Sequence, residues 1–364
     1  MTRDGRQVSS RVIRPPALCA GDVVAIVSPS GGAAGAYPRR FDRALAALRE
    51  AGLVGKPMRN ARLNRSLTSA TPQERVADLH EAFADPEVKG IICAVGGRLS
   101  SQLLGLLDYN LIAHNPKVFC GYSDATALHV AIHTICGLVT FYGPALMPDW
   151  GEWPTPRPET VTHFLRVVGR GVPSGPTPRF PVLVDEFVSW DSAEDRLRRV
   201  DPGPAQVALR QGHATGTLLV GCLPVLRELA GTPWQPRFAG RILVLETPQL
   251  PYNMEQATSD LWHLRNMGVF KEIEALAIGR PYSRDQAAAL RAAVLEVVAP
   301  YSFPVLAELP CGHSSPILTL PLGIAATVSG DELVVRQNAV IGTERTASDV
   351  STACHHAPGD SEEW

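Results

Sequence analysis

Ser123 is the residue best placed to act as a nucleophile. It lies in Lys117-Val-Phe-Cys-Gly-Tyr-Ser-Asp-Ala125, where an apolar strand ends at Gly121 and a helix is expected from Asp124. A strand-to-helix turn lifts a hydroxyl above the sheet edge and aims the first N–H groups of the helix at the same point. Those groups can hold a developing oxyanion. Gly121-Tyr-Ser-Asp-Ala125 approximates the G-x-S-x-G elbow, with alanine at its last position. The plainer reading is that Ser123 caps the helix.

A serine nucleophile needs a base, and the base needs an orienting acid. Of the ten histidines, His313 stands apart, in the Gly/Pro-bounded loop Pro310-Cys-Gly-His-Ser-Ser-Pro316 directly after a strand. Loops at strand ends are where functional groups gather. His80, His163 and His263 fall in expected helices and read as surface or packing residues. His129 and His133 have the i, i+4 spacing of helix-borne metal ligands, but no glutamate lies between them, and no metal site is expected there or at His355 and His356. Glu246 closes the apolar run Arg241-Ile-Leu-Val-Leu-Glu246. A carboxylate at the end of a buried strand is either paired or functional. Gly96-Gly97 ends another strand, where glycine lets backbone N–H groups approach a ligand; a plain turn is the alternative. Neither a phosphate-binding loop nor a G-x-G-x-x-G is present, so no cofactor is expected.

The elements that must carry these residues follow from periodicity. Val23–Ser28, Gly90–Val95, Lys117–Gly121 and Leu138–Phe141 read as strands buried on both faces. Helices are expected over Arg39–Ala51, Thr71–Ala84, Ser100–Leu107 and Asp124–Ile135, the second opened by the capping box of Thr71 and Glu74. This alternation implies a parallel sheet with helices on its faces. Prolines and glycines break the pattern over 147–181, where only Pro158–Val168 suits a helix. Beyond it, six expected strands surround helices Asn253–Met267 and Arg284–Val298. The fold class is therefore α/β: a Rossmann-like parallel-sheet N-terminal domain with a smaller, barrel-like α+β C-terminal domain. The expected divisions are a flexible arm over 1–17, the α/β domain over 18–147, a linker and substrate loop over 148–200, the second domain over 201–342 and a disordered tail over 343–364.

Composition narrows the field. The 364 residues are 45% hydrophobic and 19% charged, enough for a core in each domain. The net charge of −2 gives no sign of a nucleic-acid polymer as partner. Seven scattered cysteines without a C-x-x-C argue against a zinc site or a disulfide framework. The arginine-rich start lacks the apolar stretch of a secretory signal, and no apolar run approaches membrane-spanning length. These features read as a soluble, cytoplasmic protein without a membrane partner.

Taken in order, the motifs resemble the LD-carboxypeptidase family of serine peptidases. They are Gly21-Asp-Val-Val-Ala-Ile-Val-Ser-Pro-Ser30, Gly96-Gly97 with Ser100-Ser-Gln-Leu-Leu104, Gly121-Tyr-Ser-Asp124, Gly137-Leu-Val-Thr-Phe-Tyr-Gly-Pro144, Ile242-Leu-Val-Leu-Glu246 and Gly312-His-Ser-Ser-Pro316. The resemblance implies a catalytic set of Ser123, Glu246 and His313, with oxyanion donors from the backbone of Gly97 and Asp124. It also implies a site between two domains, commonly in a homodimer. Val184-Asp-Glu-Phe-Val-Ser-Trp190 resembles the substrate loop of the microcin C immunity branch, where an aromatic residue covers a nucleotide-like group. Trp190 would stack on such a group or pack at the domain junction. Gly96 and Cys222 complete the expected substrate contacts. Cys222 stands where the family usually has asparagine, a stronger hydrogen-bonding residue.

The expected activity is hydrolysis of an amide in a small peptide-like or peptidyl-nucleotide molecule, serving self-immunity or detoxification. The alternatives are a murein tetrapeptide LD-carboxypeptidase, a biosynthetic acyltransferase on the same scaffold, and a ligand-sequestering protein without turnover.

Overall fold

The computed structural model describes residues 12–169, 175–192, 195–249 and 251–342. The arginine-rich start (1–11) and the tail (343–364) lie outside the described residues.

The first half builds a sheet from β1 (Val23–Val27), β2 (Val54–Pro57), β3 (Val88–Cys93), β4 (Val118–Gly121) and β5 (Phe141–Tyr142). All five are parallel, in the order β5-β4-β3-β1-β2. Helices α1 (Ala33–Ala36), α2 (Pro38–Glu50), α3 (Pro72–Ala84) and α4 (Tyr109–His114) lie between the first four strands. Helix α2 buries Phe41, Ala44 and Leu48, a stripe at helical spacing. Helix α3 starts on the expected capping box, in which Thr71 and Glu74 bond each other's backbone N–H. The strand order reverses between β1 and β3, so the loops after those strands lie side by side. Ligands bind at such switch points, outside the carboxyl ends of the strands. Gly96-Gly97 follows β3, and Ser123 follows β4 ahead of helix α5 (Thr126–Cys136).

The chain then forms α6 (Pro158–Val168), β6 (Gly175–Pro176), β7 (Val182–Leu183), β8 (Asp201–Pro202) and β9 (Val207–Arg210). Next come β10 (His213–Cys222), α7 (Leu223–Glu228), β11 (Arg241–Glu246), α8 (Met254–Asn266), β12 (Ala275–Gly279), α9 (Ala287–Val297) and β13 (Val305–Leu309). The last strands are β14 (Leu320–Pro321), β15 (Ala325–Ser329) and β16 (Glu332–Val335). The second sheet runs β6-β16-β15-β10-β11-β12-β13-β9. Its centre, β10 to β13, is parallel, and its flanks are antiparallel. The C-terminal ends of those four central strands deliver Cys222, Glu246, Gly279 and the His313 loop to one edge.

Two features tie the halves together. Strand β14 leaves the second half and pairs antiparallel with β5 of the first sheet. At the other end, Ile13 bridges Leu138 and Pro16 bridges Ile341. The expectation of a loose arm reaching residue 17 therefore fails over 12–17: Ala17 and Leu18 are buried, and backbone pairing holds the segment. The expected helix over Ser100–Leu107 is only a single tight turn, Ser100–Leu103. Its Ser100 hydroxyl is drawn instead to the Asp124 carbonyl, 2.6 Å away. Among the described residues, no helix is long and apolar enough to cross a membrane.

Candidate active site

Strand β4 is buried throughout and ends against a tight neighbour: a Cβ on Gly121 would meet the Cys93 Cβ at 2.8 Å. Tyr122 is still extended, and then Ser123 turns to φ 63° before helix α5 begins. A non-glycine residue held in the left-handed region costs about 1–3 kcal/mol, and such strain gathers at functional sites. Two bonds fix it. The Ser123 N–H donates to the Tyr142 hydroxyl at 3.0 Å, and the Thr126 hydroxyl donates to the Ser123 carbonyl at 2.6 Å. Ser123 is not the cap of the helix, a place that Ala125 holds. Its Oγ lies 2.9 Å from His313 Nε2.

His313 Nδ1 lies in turn 2.8 Å from Glu246 Oε2, so hydroxyl, imidazole and carboxylate form one chain. The His313 loop sits close because glycines line its path. A Cβ on Gly312 would come within 2.6 Å of Glu246 Oε2, and one on Gly279 would strike the Cys311 carbonyl oxygen. Glu246 is fully buried. Burial alone pushes its carboxyl up, but His313, the Tyr142 hydroxyl and the Cys222 thiol outweigh burial and hold it below the usual range. Glu246 thus stays ionised beside the imidazole.

Tyr142 links the parts in a way the sequence does not disclose. Its hydroxyl donates to Glu246 Oε1 at 2.6 Å while accepting the Ser123 N–H. The motif Gly137–Pro144 contains this tyrosine, but nothing in its spacing points to a partner on β11, 104 residues away. The role of the Asp124 side chain is equally hidden in the sequence. It accepts from the Ser30 hydroxyl and, at 2.8 Å, from the Ser100 N–H. It thereby ties the loops after β1 and β3 to the serine turn. The Gly31 N–H donates to the Gly96 carbonyl at 3.0 Å. A Cβ on Gly96 would lie 2.8 Å from the Ser123 Cβ and 3.5 Å from the Asp124 nitrogen, so this glycine and that N–H border the same space. A Cβ on Gly97 would collide with the Ser30 hydroxyl.

Ser123 and His313 open onto a cavity of about 780 Å³ whose wall also includes Gly96, Gly97, Asp124 and Cys222. Cys222 is buried, with its N–H held by the Thr126 hydroxyl at 3.0 Å. Trp190 is half-buried in the wall, with the Arg40 guanidinium 4.5 Å from its ring centre and Tyr37 edge-on at 5.7 Å. Trp150 is buried against Phe164 and does not line the cavity. His129 and His133 bond the carbonyls of Gly121 and Leu138. His163 accepts the Thr319 N–H.

Residues 24–143 match the LD-carboxypeptidase N-terminal domain, and residues 215–328 match the LD-carboxypeptidase C-terminal domain. The chain belongs to the LD-carboxypeptidase family. That family places the protein among the serine peptidases. The chain is 30% identical over 338 residues to the microcin C7 self-immunity protein MccF of Escherichia coli, covering 89% of this chain and 95% of that protein. A Bacillus subtilis protein named a probable murein peptide carboxypeptidase is also 30% identical, over 328 residues that cover 88% of this chain and 92% of the relative. Among solved structures, MccF in complex with aspartyl sulfamoyl adenosine superposes with a TM-score of 0.84 at 27% identity, covering 90% of this chain and 99% of that one.

The two LD-carboxypeptidase matches divide the site between them. The first spans Gly96, Gly97, Ser123, Asp124 and Tyr142; the second spans Cys222, Glu246 and His313. Trp190 falls between them, on the strap of residues 184–200 that supplies part of the cavity wall.

Proposed function

We propose that the protein hydrolyses an amide bond in a small peptide-like molecule bearing a nucleotide-like group, a reaction suited to self-immunity or detoxification. The observation that carries this reading is the unbroken chain from Ser123 Oγ through His313 to Glu246, at 2.9 and 2.8 Å. Ser123 attacks the carbonyl while His313 takes its proton and later gives it to the leaving amine. Glu246, kept ionised, fixes the imidazole tautomer and stabilises its charged form. The N–H groups of Gly97 and Asp124 receive the oxyanion. Water then resolves the acyl-enzyme. The likeness to MccF, whose structure holds aspartyl sulfamoyl adenosine, supports a planar base in the wider cavity beside Trp190.

A second reading, cleavage of a murein peptide, is supported by the likeness to the Bacillus subtilis relative named a probable murein peptide carboxypeptidase.

We place the protein in the cytosol, where the free thiols of Cys19, Cys93, Cys120, Cys136, Cys222 and Cys311 would stay reduced. A homodimer is the assembly the family resemblance implies, and light scattering tests it. The deciding experiment is mass spectrometry of products from aminoacyl-nucleotide conjugates and muropeptides. The wild type should cleave one class, with turnover reduced by about three orders of magnitude or more in Ser123→Ala. Equal cleavage by Ser123→Ala would overturn the assignment.

A further inference from the structure

Among the described residues, three non-glycine positions have positive φ: Ser66, Ser123 and Glu308. Ser66 is exposed, Ser123 is the proposed nucleophile, and Glu308 is a buried carboxylate five residues before His313. Its setting shows what the unusual backbone achieves. Strands β12 and β13 pair at Ala277 with Leu306 and again at Gly279 with Leu309. Between those pairs Ala307 and Glu308 face the single residue Ile278, which makes a bulge. Such bulges bend one strand and re-aim the chain beyond it, and the residue that turns left-handed in them is commonly glycine.

Here the turning residue is glutamate, at φ 62°. Its Oε1 accepts from Arg291 Nη1 on α9 at 2.6 Å, with the Glu308 side chain 4% exposed. Directly after the bulge, the Leu309 carbonyl accepts from the N–H groups of Arg280 at 2.8 Å and Cys311 at 2.7 Å. The redirected chain then packs the Cys311 carbonyl on Gly279 and Gly312 on Glu246, and delivers His313 to Ser123.

We infer that the Glu308–Arg291 pair is a positioning device for His313. The ion pair holds the bulge in the conformation a glycine would adopt freely but loosely, and so fixes the register of the His313 loop against Glu246 and Ser123. This inference rests on the reading of His313 as the base.

The test uses the full chain and a fluorophosphonate, a probe that reacts with an activated serine hydroxyl whatever the natural substrate. Labelling of Ser123 is followed by mass spectrometry, and folding by thermal melting. Glu308→Gln and Arg291→Met should each slow labelling about tenfold or more, since small misplacements of reacting groups are costly. The double variant should be no slower than either single one. Arg291→Lys, which keeps the charge, should retain most of the rate. The groups facing His313 are Glu246, Ser123 and the Tyr122 ring. A pair that served only stability would lower the melting temperature and leave the labelling rate of the folded protein unchanged. Glu308→Gly separates the two effects: it relieves the backbone strain, so the fold should hold while labelling still slows. Wild-type rates in both Arg291→Met and Glu308→Gln would overturn the inference alone. Absence of any adduct on wild-type Ser123 would overturn the proposed function, and this inference with it.

Discussion

At the residue scale, Tyr142 is the least replaceable support of the site. One phenolic oxygen satisfies both the Ser123 N–H and a buried glutamate oxygen, and two groups lose a partner if it goes. Each buried polar group left unpaired costs about 1–3 kcal/mol. Tyr142→Phe should therefore lower stability by about that amount, and it should also reduce turnover because the strained serine turn loses its tether. Urea unfolding and steady-state rates check both; an unchanged midpoint would show that the hydroxyl is dispensable. The three residues of the hydroxyl–imidazole–carboxylate chain were legible in the sequence because each stands just past, or at the end of, a buried strand. Tyr142 and the Asp124 carboxylate were not. Their roles lie in partners supplied by distant strands and loops, and neither residue breaks a local rule that would draw attention to it. Cys222 reads as a substrate contact because it stands where the family usually has asparagine, and it lines the cavity with Ser123 and His313.

At the scale of elements, helices α5 and α6 carry three buried histidines. Burial pushes His129, His133 and His163 down to about 4, against 6.5 for each in solution. The unfolded chain binds protons on these rings at a pH where the fold keeps them neutral. Stability should therefore fall as pH drops from about 6.5 towards 4, by at most about 3 kcal/mol per ring. Asp149 works the other way. Burial raises it to about 7, so its contribution weakens the fold as pH rises from 3.8. Asp78 and Glu228, raised by burial, side with Asp149, while His80, lowered by burial, sides with the three rings. The three deeply buried rings carry the largest weight, and the net slope should favour neutral pH. Thermal melts between pH 7.5 and 4 should show a steady loss on the acid side; a flat profile would mean the rings are not held neutral. The long buried strands and the long helices followed from apolar runs and caps, as Thr71 and Glu74 show for α3, whereas β2 and β9, which are not fully buried, did not. The two-residue strand β14 did not, since its place in the first sheet is fixed by pairing with β5, across the whole intervening chain.

At the scale of the molecule, the site exists only where two sheets present the ends of parallel strands to each other. The first supplies Ser123, the second His313 and Glu246. The strap, residues 184–192 and 195–200, lines one side of the cavity and is tied by charge to α2 and to the segment before α6. Arg198 pairs with buried Glu152 at 2.5 Å, and Arg39 with Asp195 at 2.9 Å. Trp190 rides on this strap outside the matched family regions, and under the proposed function it would serve substrate choice more than bond cleavage. Trp190→Ala should raise KM for aminoacyl-nucleotide conjugates by about tenfold, the weight of one stacking contact, while leaving the cleavage of muropeptides unaffected. Equal losses on both classes would assign Trp190 to the support of Arg40 and Tyr37 instead. The central claim, that a hydroxyl of one lobe is activated by an imidazole of the other, has a direct measurement. Fluorophosphonate-treated protein is digested and the modified peptide identified, in the wild type and in His313→Ala. The adduct should fall on Ser123 and form at least about a hundredfold more slowly without the imidazole. An adduct elsewhere, or one formed equally fast in both proteins, would contradict the account.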